Sequence, residues 1–248
     1  MHRFFVPRSD FHGQQVVFDQ RQAHQLRNVL RATPGQRIIV LDNAGSEYEV
    51  VLTVLTKSKA IGKIEQERPA GGEPQVHLSL YQGLLARDKF ELVLQKCTEV
   101  GVARFVPTIT QRTIVRTAET LTHNKLARWK RIITEAAEQS CRAKIPQLER
   151  PVHLEKALAS LNRLNLALIS SPHKQHPSLQ DTLQQNQPKH PQSVALLIGP
   201  EGGFTDQEVQ LARDAGAVPV SLGPRILRTE TAAIVAAALI LYQLGQMQ

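Results

Sequence analysis

Apolar residues change their spacing part-way along the chain. Up to about residue 68 they come in short runs, RIIVLD, EYEVVLTVL and AIGKIEQE, separated by the turn-forming DNAGS and TKSK. Such runs predict short strands joined by tight turns, a small β-barrel. Ahead of them, RQAHQLRNVLRATPG predicts one short helix, with Leu26, Val29 and Leu30 on one side and Pro34-Gly35 as its end. The stretch RPAGGEP, with two prolines and two glycines, then predicts a linker.

After the linker, strand-like and helix-like patterns alternate. VHLSLYQGLL, ARFVPTIT, LNLALIS, SVALLIG and AVPVSLG read as strands. DKFELVLQKCTEVG carries Phe90, Val93, Leu94, Cys97 and Val100 at helical spacing and stops at Gly101. NKLARWKRIITEAAEQSCR is a long helix with Leu126, Trp129, Ile133, Ala136 and Ala137 turned inward. TDQEVQLARDAG and TETAAIVAAALILYQL are two more helices, the second serving the core or an interface between copies, and SPHKQHPSLQDTLQQNQPKHPQ is a polar connection, partly loop. This alternation predicts an α/β fold, a parallel sheet with helices on both faces. The expected boundaries are residues 1–68 for the barrel, 69–74 for the linker and 75–248 for the second domain.

Composition narrows the classes of function. The chain has 248 residues, 42% of them hydrophobic, so it can bury a core. Its formal net charge is +8 and its pI about 9.8, which favours an anionic partner, with plain solubilising charge as the alternative. No apolar run approaches the roughly 20 residues of a membrane span; Ala232–Tyr242 is the longest block. The N-terminus MHRFFVPRSD has no apolar signal core, so a cytoplasmic location is expected. Two cysteines, Cys97 and Cys141, both in helical patterns, are expected to stay reduced.

Two loops concentrate the candidate chemistry. GPEGGF (Gly199–Phe204) and GPRILR (Gly223–Arg228) each follow a strand and precede a helix. In a parallel sheet both lie at the carboxyl edge, where ligands bind. Thr205 and Glu208 have capping-box spacing, and Thr229 is the expected cap of the last helix, with Glu230 in its first turn. GPEGGF is neither a phosphate loop, for lack of Gly-Lys-Ser/Thr, nor a dinucleotide fingerprint, for its spacing. With one acid, Glu201, and no lysine, it suits a neutral or cationic adenosine-type ligand; a tight structural turn is the alternative. Arg225 and Arg228 stand before a helix N-terminus, where cations are unfavourable unless an anion meets them or an acid such as Glu201 or Glu230 pairs with them.

IGPEGGF followed by LGPRILRTETA resembles the ribosomal RNA small-subunit methyltransferase E family, of the SPOUT class. The resemblance extends over the whole chain. RFFV and AHQLRNVLRATPGQRIIVLDNAG are similar to the family's PUA-like RNA-binding barrel. DKFELVLQKCTEVGVARFVPTITQRT and RWKRIITEAAEQSCR are similar to blocks of its catalytic domain. It implies a domain with a deep trefoil knot, a homodimer, S-adenosylmethionine as methyl donor, and N3 of a uridine in 16S ribosomal RNA as acceptor. The substrate is expected to be that RNA or the small ribosomal subunit. The donor site is expected to comprise Ile198, Gly199, Pro200, Glu201, Gly202 and Gly203 of the first loop. From the second loop and the helix after it come Leu222, Gly223, Ile226, Leu227, Thr229 and Ala232. On this reading the glycines let backbone crowd a bent cofactor.

Methyl transfer to uridine N3 needs alignment, a cation for the developing uridinate, and a proton acceptor. Arg228 is the candidate cation and Glu230 the candidate base. The stretch Arg104–Lys144 has nine Lys and Arg against three acids, and the first 41 residues have six arginines against two aspartates. Both predict phosphate-binding surfaces, with Arg3, Arg8, Arg27, Arg31, Arg112 and Arg142 as the expected contacts. His173 and His176 lie three apart in a polar loop without a cysteine, so no metal site is expected. The rival readings are a same-fold enzyme acting on a ribose 2′-hydroxyl or another base, and a non-catalytic RNA-binding protein.

Overall fold

The alternating runs at the start of the chain fold into a six-stranded half-barrel. In the computed structural model, which describes residues 1–86, 88–113, 123–171, 176–185 and 191–247, the chain divides into two units. One is Met1–Glu73 with Ala137–Ile145; the other is Pro74–Ala136 with Pro146–Gln248. The first contains β1 (Arg3–Phe5), β2 (Phe11–His12), β3 (Gln15–Phe18), the helix α1 (Gln20–His24), β4 (Arg37–Leu41), β5 (Ser46–Leu55) and β6 (Ala60–Pro69). The sheet order is β1-β4-β5-β6-β3-β2, antiparallel except for β1 beside β4. Irregularities after Glu49 and Leu52 bend β5. Both ends of the sheet thus feed one core of Phe4, Val16, Phe18, Leu26, Ile38 and Val50. The sequence pattern missed β1 to β3, which are too short for alternation to register.

Asp19 opens α1 through a capping box with Gln22. The expected single helix does not continue to Leu30. A π-turn over Gln25–Val29 adds a residue to the turn, and Val29 rotates out to 66% exposure while Leu26 stays fully buried. The segment Ala137–Ile145 adds a second apolar layer, with Ala137 and Ile145 packed against Phe5, Ile39 and Leu41. Arg142, expected on the RNA surface, lies here and is only 3% exposed. Glu73 binds its Nε and Nη2 at 3.1 and 2.6 Å and also accepts the backbone N–H of Ala143 and Lys144. A buried guanidinium held this way presents no face to a phosphate, so Arg142 is a structural cation.

The second unit contains β7 (His77–Gly83), α2 (Lys89–Val100), β8 (Arg104–Ile109), α3 (His123–Gln139, whose last turn belongs to the first unit), β9 (Gln147–Leu148) and β10 (Val152–His153). It continues with α4 (Leu154–Leu158), β11 (Leu166–Ser170), α5 (Leu179–Gln185), β12 (Ser193–Ile198), α6 (Asp206–Asp214), β13 (Val218–Val220) and α7 (Thr229–Gln243). The order is β10-β8-β7-β12-β11-β13 with β9 beside β8, all parallel. All carboxyl ends therefore share one edge. On one face α4 and α6 pack on Tyr81, Val106, Ile169 and Leu197. On the other, α7 lies against β7, β12 and α2. Burial on both faces explains why β11 and β12 read as nearly unbroken apolar runs. Trp129 of α3 stacks on Phe90 of α2 with ring centroids 4.4 Å apart. Cys97 and Cys141 are both free, and burial pushes the Cys97 thiol well above its usual range. The short β9, β10 and α4 gave no sequence signal.

Candidate functional site

The edge where the strands end is organised around β7 and β12, the neighbours at which the strand order reverses direction. Gln82 pairs in register with Ile198 on one side and Pro107 on the other. One residue further, Gly83 has no room for a side chain: a Cβ there lies 2.5 Å from Pro200 N and 2.8 Å from Gly199 C. A Cβ on Gly199 meets Gly203 C and Phe204 N, both at 2.9 Å, because the loop folds back on itself. Gly203 N donates to Pro200 O at 2.9 Å and closes that turn. These glycines are thus required by protein packing against protein, which revises the expectation that every one of them serves a close-lying cofactor. Gly203 and Gly223 have a different setting. Their φ angles are 68° and 111°, and a Cβ added at either one meets nothing within 4 Å.

Glu208 completes the expected capping box, donated to by Thr205 N at 2.8 Å, and it also accepts Gln111 N at 2.8 Å. It thereby ties the exit of β8 to the start of α6. Arg112, expected to contact RNA, folds back on the glycine loop: Nη1 donates to Gly202 O at 2.7 Å, and its stem covers the bare face of Gly202. Glu201 reaches the exit of β7, accepting Ala86 N at 3.2 Å and Lys89 Nζ at 3.3 Å. Burial raises its pKa, but the backbone N–H groups of Glu201 and Ala86 and the Lys89 cation outweigh this and hold the carboxyl below its usual range.

The second loop arrives from further away. β13 is separated from β12 by β11, so the segment Ser221–Arg228 crosses the end of β11 to bring α7 against β7 and β12. Thr229 was expected to cap α7. The cap position is Arg228, without a side-chain cap bond, and Thr229 is the first helical residue. Its hydroxyl instead donates to Gly199 O at 2.6 Å and accepts from Gln82 Nε2 at 3.1 Å. The first loop is thus hydrogen-bonded directly to the residue that follows the second loop.

Of the other expected donor residues, Ile198, Gly199, Pro200 and Ala232 are buried, Leu222 and Leu227 are half-buried, and Ile226 is 90% exposed. Arg225 and Arg228 are exposed and their side chains have no ion pair or hydrogen bond among the described residues, so the alternative of pairing with Glu201 or Glu230 is not what the structure contains. Glu230 is half-buried, with Oε2 inaccessible and unpartnered among the described residues. In the first unit Arg3 pairs with Glu47, Arg8 with the buried Asp42, and Arg27 with Asn28, while Arg31 is exposed at φ 51°. His173, Arg116 and Glu119 lie outside the described residues. Among those described, no three His, Cys, Asp or Glu side chains form a metal-binding group, and no helix is long and apolar enough to cross a membrane.

The model of an RNA methyltransferase domain matches residues 72–241, and that of an RNA methyltransferase PUA domain matches residues 18–65. The ribosomal RNA small subunit methyltransferase E of Synechocystis sp. is 36% identical over 90% of this chain and 71% of its own. The chain belongs to the ribosomal RNA small subunit methyltransferase E family. The family member of Bacillus subtilis is 32% identical over 90% of this chain and 88% of its own. A family member from Neisseria gonorrhoeae, whose crystal structure is bound to S-adenosylmethionine, superposes with a TM-score of 0.86 at 36% identity, covering 98% of this chain and 97% of that one. The matched RNA methyltransferase domain covers the parallel sheet described above, and the matched PUA domain covers the half-barrel from the end of β3 to residue 65 in β6.

Proposed function

We propose that this protein transfers a methyl group from S-adenosylmethionine to N3 of a uridine in 16S ribosomal RNA. The observation that carries the reading is the joining of two glycine loops at the carboxyl edge of a parallel sheet, with a partner-free arginine between them and the helix that follows. Family membership and the donor-bound relative support a methyltransferase acting on RNA with this donor. The residues fit an adenosyl group: exposed Ile226, half-buried Leu222 and Leu227, and bare backbone at Gly203 and Gly223 offer apolar surface and peptide groups, and neither loop holds a lysine for a triphosphate.

When bound, the donor supplies an electrophilic methyl group on a sulfonium. The chain's own task is alignment, exclusion of water and management of the N3 proton. Arg228 stabilises the charge that develops on the uracil ring, since its guanidinium has no internal partner to release first. Glu230 or a water accepts the proton, and the inaccessible Oε2 of Glu230 is the nearest carboxylate in sequence to Arg228.

The same reading covers the rest of the chain. Residues 1–68 form the RNA-binding module and 69–74 the linker to a methyltransferase domain of residues 75–248. Arg8, Arg27 and Arg31 supply phosphate contacts in the module, whereas the largely buried Arg3 is held by Glu47 and reaches RNA only by leaving it, as Arg112 does only by leaving Gly202. The crossing of β11's end by Ser221–Arg228 supports the trefoil knot. Exposed Leu239 and Tyr242 on α7 and Leu92 on α2 support a homodimer. The enzyme is a cytoplasmic one, acting on the RNA or the small ribosomal subunit. Mass mapping of 16S RNA from a strain lacking the protein tests the reading: one uridine must lose its N3 methyl group. Loss of a ribose methyl group instead moves the activity to the 2′-hydroxyl.

A further inference from the structure

A glutamine side chain that is 1% exposed lies beneath both loops. Gln82 stands at the last paired position of β7, between Ile198 of β12 and Pro107 of β8. A fully buried amide is costly unless its polar atoms are satisfied. The nitrogen of this one shares its two hydrogens among three acceptors: Gly83 O at 3.1 Å, Gly199 O at 3.2 Å and Thr229 Oγ1 at 3.1 Å. The carbonyl Oε1 has no partner among the described residues. The reverse orientation of the amide sets that oxygen against two carbonyl oxygens, so the acceptors fix which way it faces.

The direction of each bond follows from the hydrogens available. Thr229 Oγ1 has one hydrogen, and the 2.6 Å contact gives it to Gly199 O. It therefore accepts from Gln82 Nε2 at 3.1 Å. Gly199 O thus receives two donors and both its lone pairs are used. Gly199 is the first residue beyond the β12–β7 ladder, so its buried carbonyl has no strand partner. Gln82 and Thr229 take the place of the missing strand. Three segments meet in this group of atoms: the end of β7, the start of the first glycine loop, and the first residue of α7.

We propose that Gln82, acting through Thr229 and the Gly199 carbonyl, is a positioning residue that sets the separation of the two loops and so the affinity for the methyl donor. The inference rests on the donor reading above and goes beyond it in assigning a role to a residue that does not line the loops. Buried amides of this kind act as registers: an apolar side chain of the same size fills the volume but leaves the loops free to shift. Gln82→Met and Thr229→Val therefore keep the packing and remove the register. Each is expected to weaken donor binding about tenfold, the effect of leaving one buried carbonyl short of a donor.

The test is calorimetry of the full chain with S-adenosylmethionine and S-adenosylhomocysteine, beside thermal melting and steady-state kinetics. Gln82→Met and Thr229→Val are expected to weaken both ligands, the double variant no further than the worse single one, since the two act as a unit. The donor KM is expected to rise by a larger factor than kcat falls. Thr229→Ser, which keeps the hydroxyl, is expected to recover most of the affinity lost in Thr229→Val. Should Gln82→Met fail to fold, the comparison of Val with Ser at the half-buried Thr229 decides the matter alone. A lowered Tm with unchanged donor affinity overturns the proposal, because Gln82 is then a pin of the fold only. Additive losses in the double variant overturn it as well. A wild-type chain that binds neither ligand overturns the donor reading itself, which is a distinct result.

Discussion

Gly83→Ala introduces a single methyl group at the most crowded point of the carboxyl edge. Its Cβ falls 2.5 Å from Pro200 N, 2.7 Å from Pro200 Cδ and 2.8 Å from Gly199 C. Two of these are backbone atoms of a closed turn, which cannot swing aside as a side chain does. Ordinary contact begins at 3.4 Å, so the first loop has to move by about 0.9 Å. That shift stretches both bonds to the Gly199 carbonyl, from Gln82 at 3.2 Å and Thr229 at 2.6 Å. Overpacking costs about 1–3 kcal/mol, and each stretched bond contributes about 1 kcal/mol. A total loss of about 3–5 kcal/mol lowers Tm by roughly 6–20 °C in a chain of this size. Donor affinity is expected to fall with it, because the displaced segment is the first loop. Calorimetric melting and donor titration read the two effects. Gly71→Ala is the control: nothing lies within 4 Å of its Cβ and its φ is not left-handed. It is expected to stay within about 0.5 kcal/mol. An unchanged Tm and unchanged donor affinity in Gly83→Ala refute the reasoning, since the loop then has space that the distances deny.

Arg228→Ala is expected to lower turnover about a hundredfold or more with donor affinity little changed, and Arg228→Lys to restore part of it; abolished donor binding in a folded variant places the residue in the cofactor site instead. Affinity for RNA is expected to fall steeply with salt, and Arg27→Ala with Arg31→Ala to reduce the slope of log K against log salt by about two in filter-binding titrations; a flat salt response contradicts a phosphate-led interface. Burial raises the carboxyl pKa of Asp42 and Glu47, but backbone N–H groups and Arg8 at the first, and Arg3 and Arg68 at the second, bring each below its usual value. The sign follows: with the folded pKa depressed, their stabilisation is complete above the ordinary carboxylate range and is lost as pH falls through and below it. Acid melting monitored on the half-barrel is expected to begin there, and Glu47→Gln to flatten the pH dependence.

What the sequence disclosed depends on how many residues repeat a pattern. The twelve residues of α2 have enough turns for their period to declare them, α7 reads as a helix from the length of a block that is apolar on all sides, and the apolar runs of β11 and β12 follow from burial on both faces. β1 to β3, β9, β10 and α4 have two to five residues each, and no period can be read from so few. Val29 was misplaced because a π-turn changes phase without leaving a compositional trace. Arg142 illustrates a different limit. Its partner Glu73 lies 69 residues away, and nothing local distinguishes a buried arginine from a solvated one. Thr229 stands where a cap belongs and bonds elsewhere, because the acceptor that claims its hydroxyl, Gly199, is brought near only by the crossing of β11's end.

The crossing also divides the glycines by purpose. Gly83 and Gly199 are bare because protein backbone occupies the space a side chain needs, and that crowding is what allows the first loop, β7 and α7 to meet at one carbonyl. Gly203 and Gly223 are bare for the opposite reason: their left-handed φ excludes most side chains while the space beside them is open. A segment crossing the end of another strand is uncommon in parallel sheets, since most connections run between neighbours. Here it brings exposed Ile226 and partner-free Arg228 beside a loop whose own carbonyl is already saturated from beneath. The inner glycines hold the first loop against β7 and α7, and the outer ones leave open space beside the backbone. A motif of three closely spaced glycines therefore serves two requirements, one met inside the protein and one at its surface.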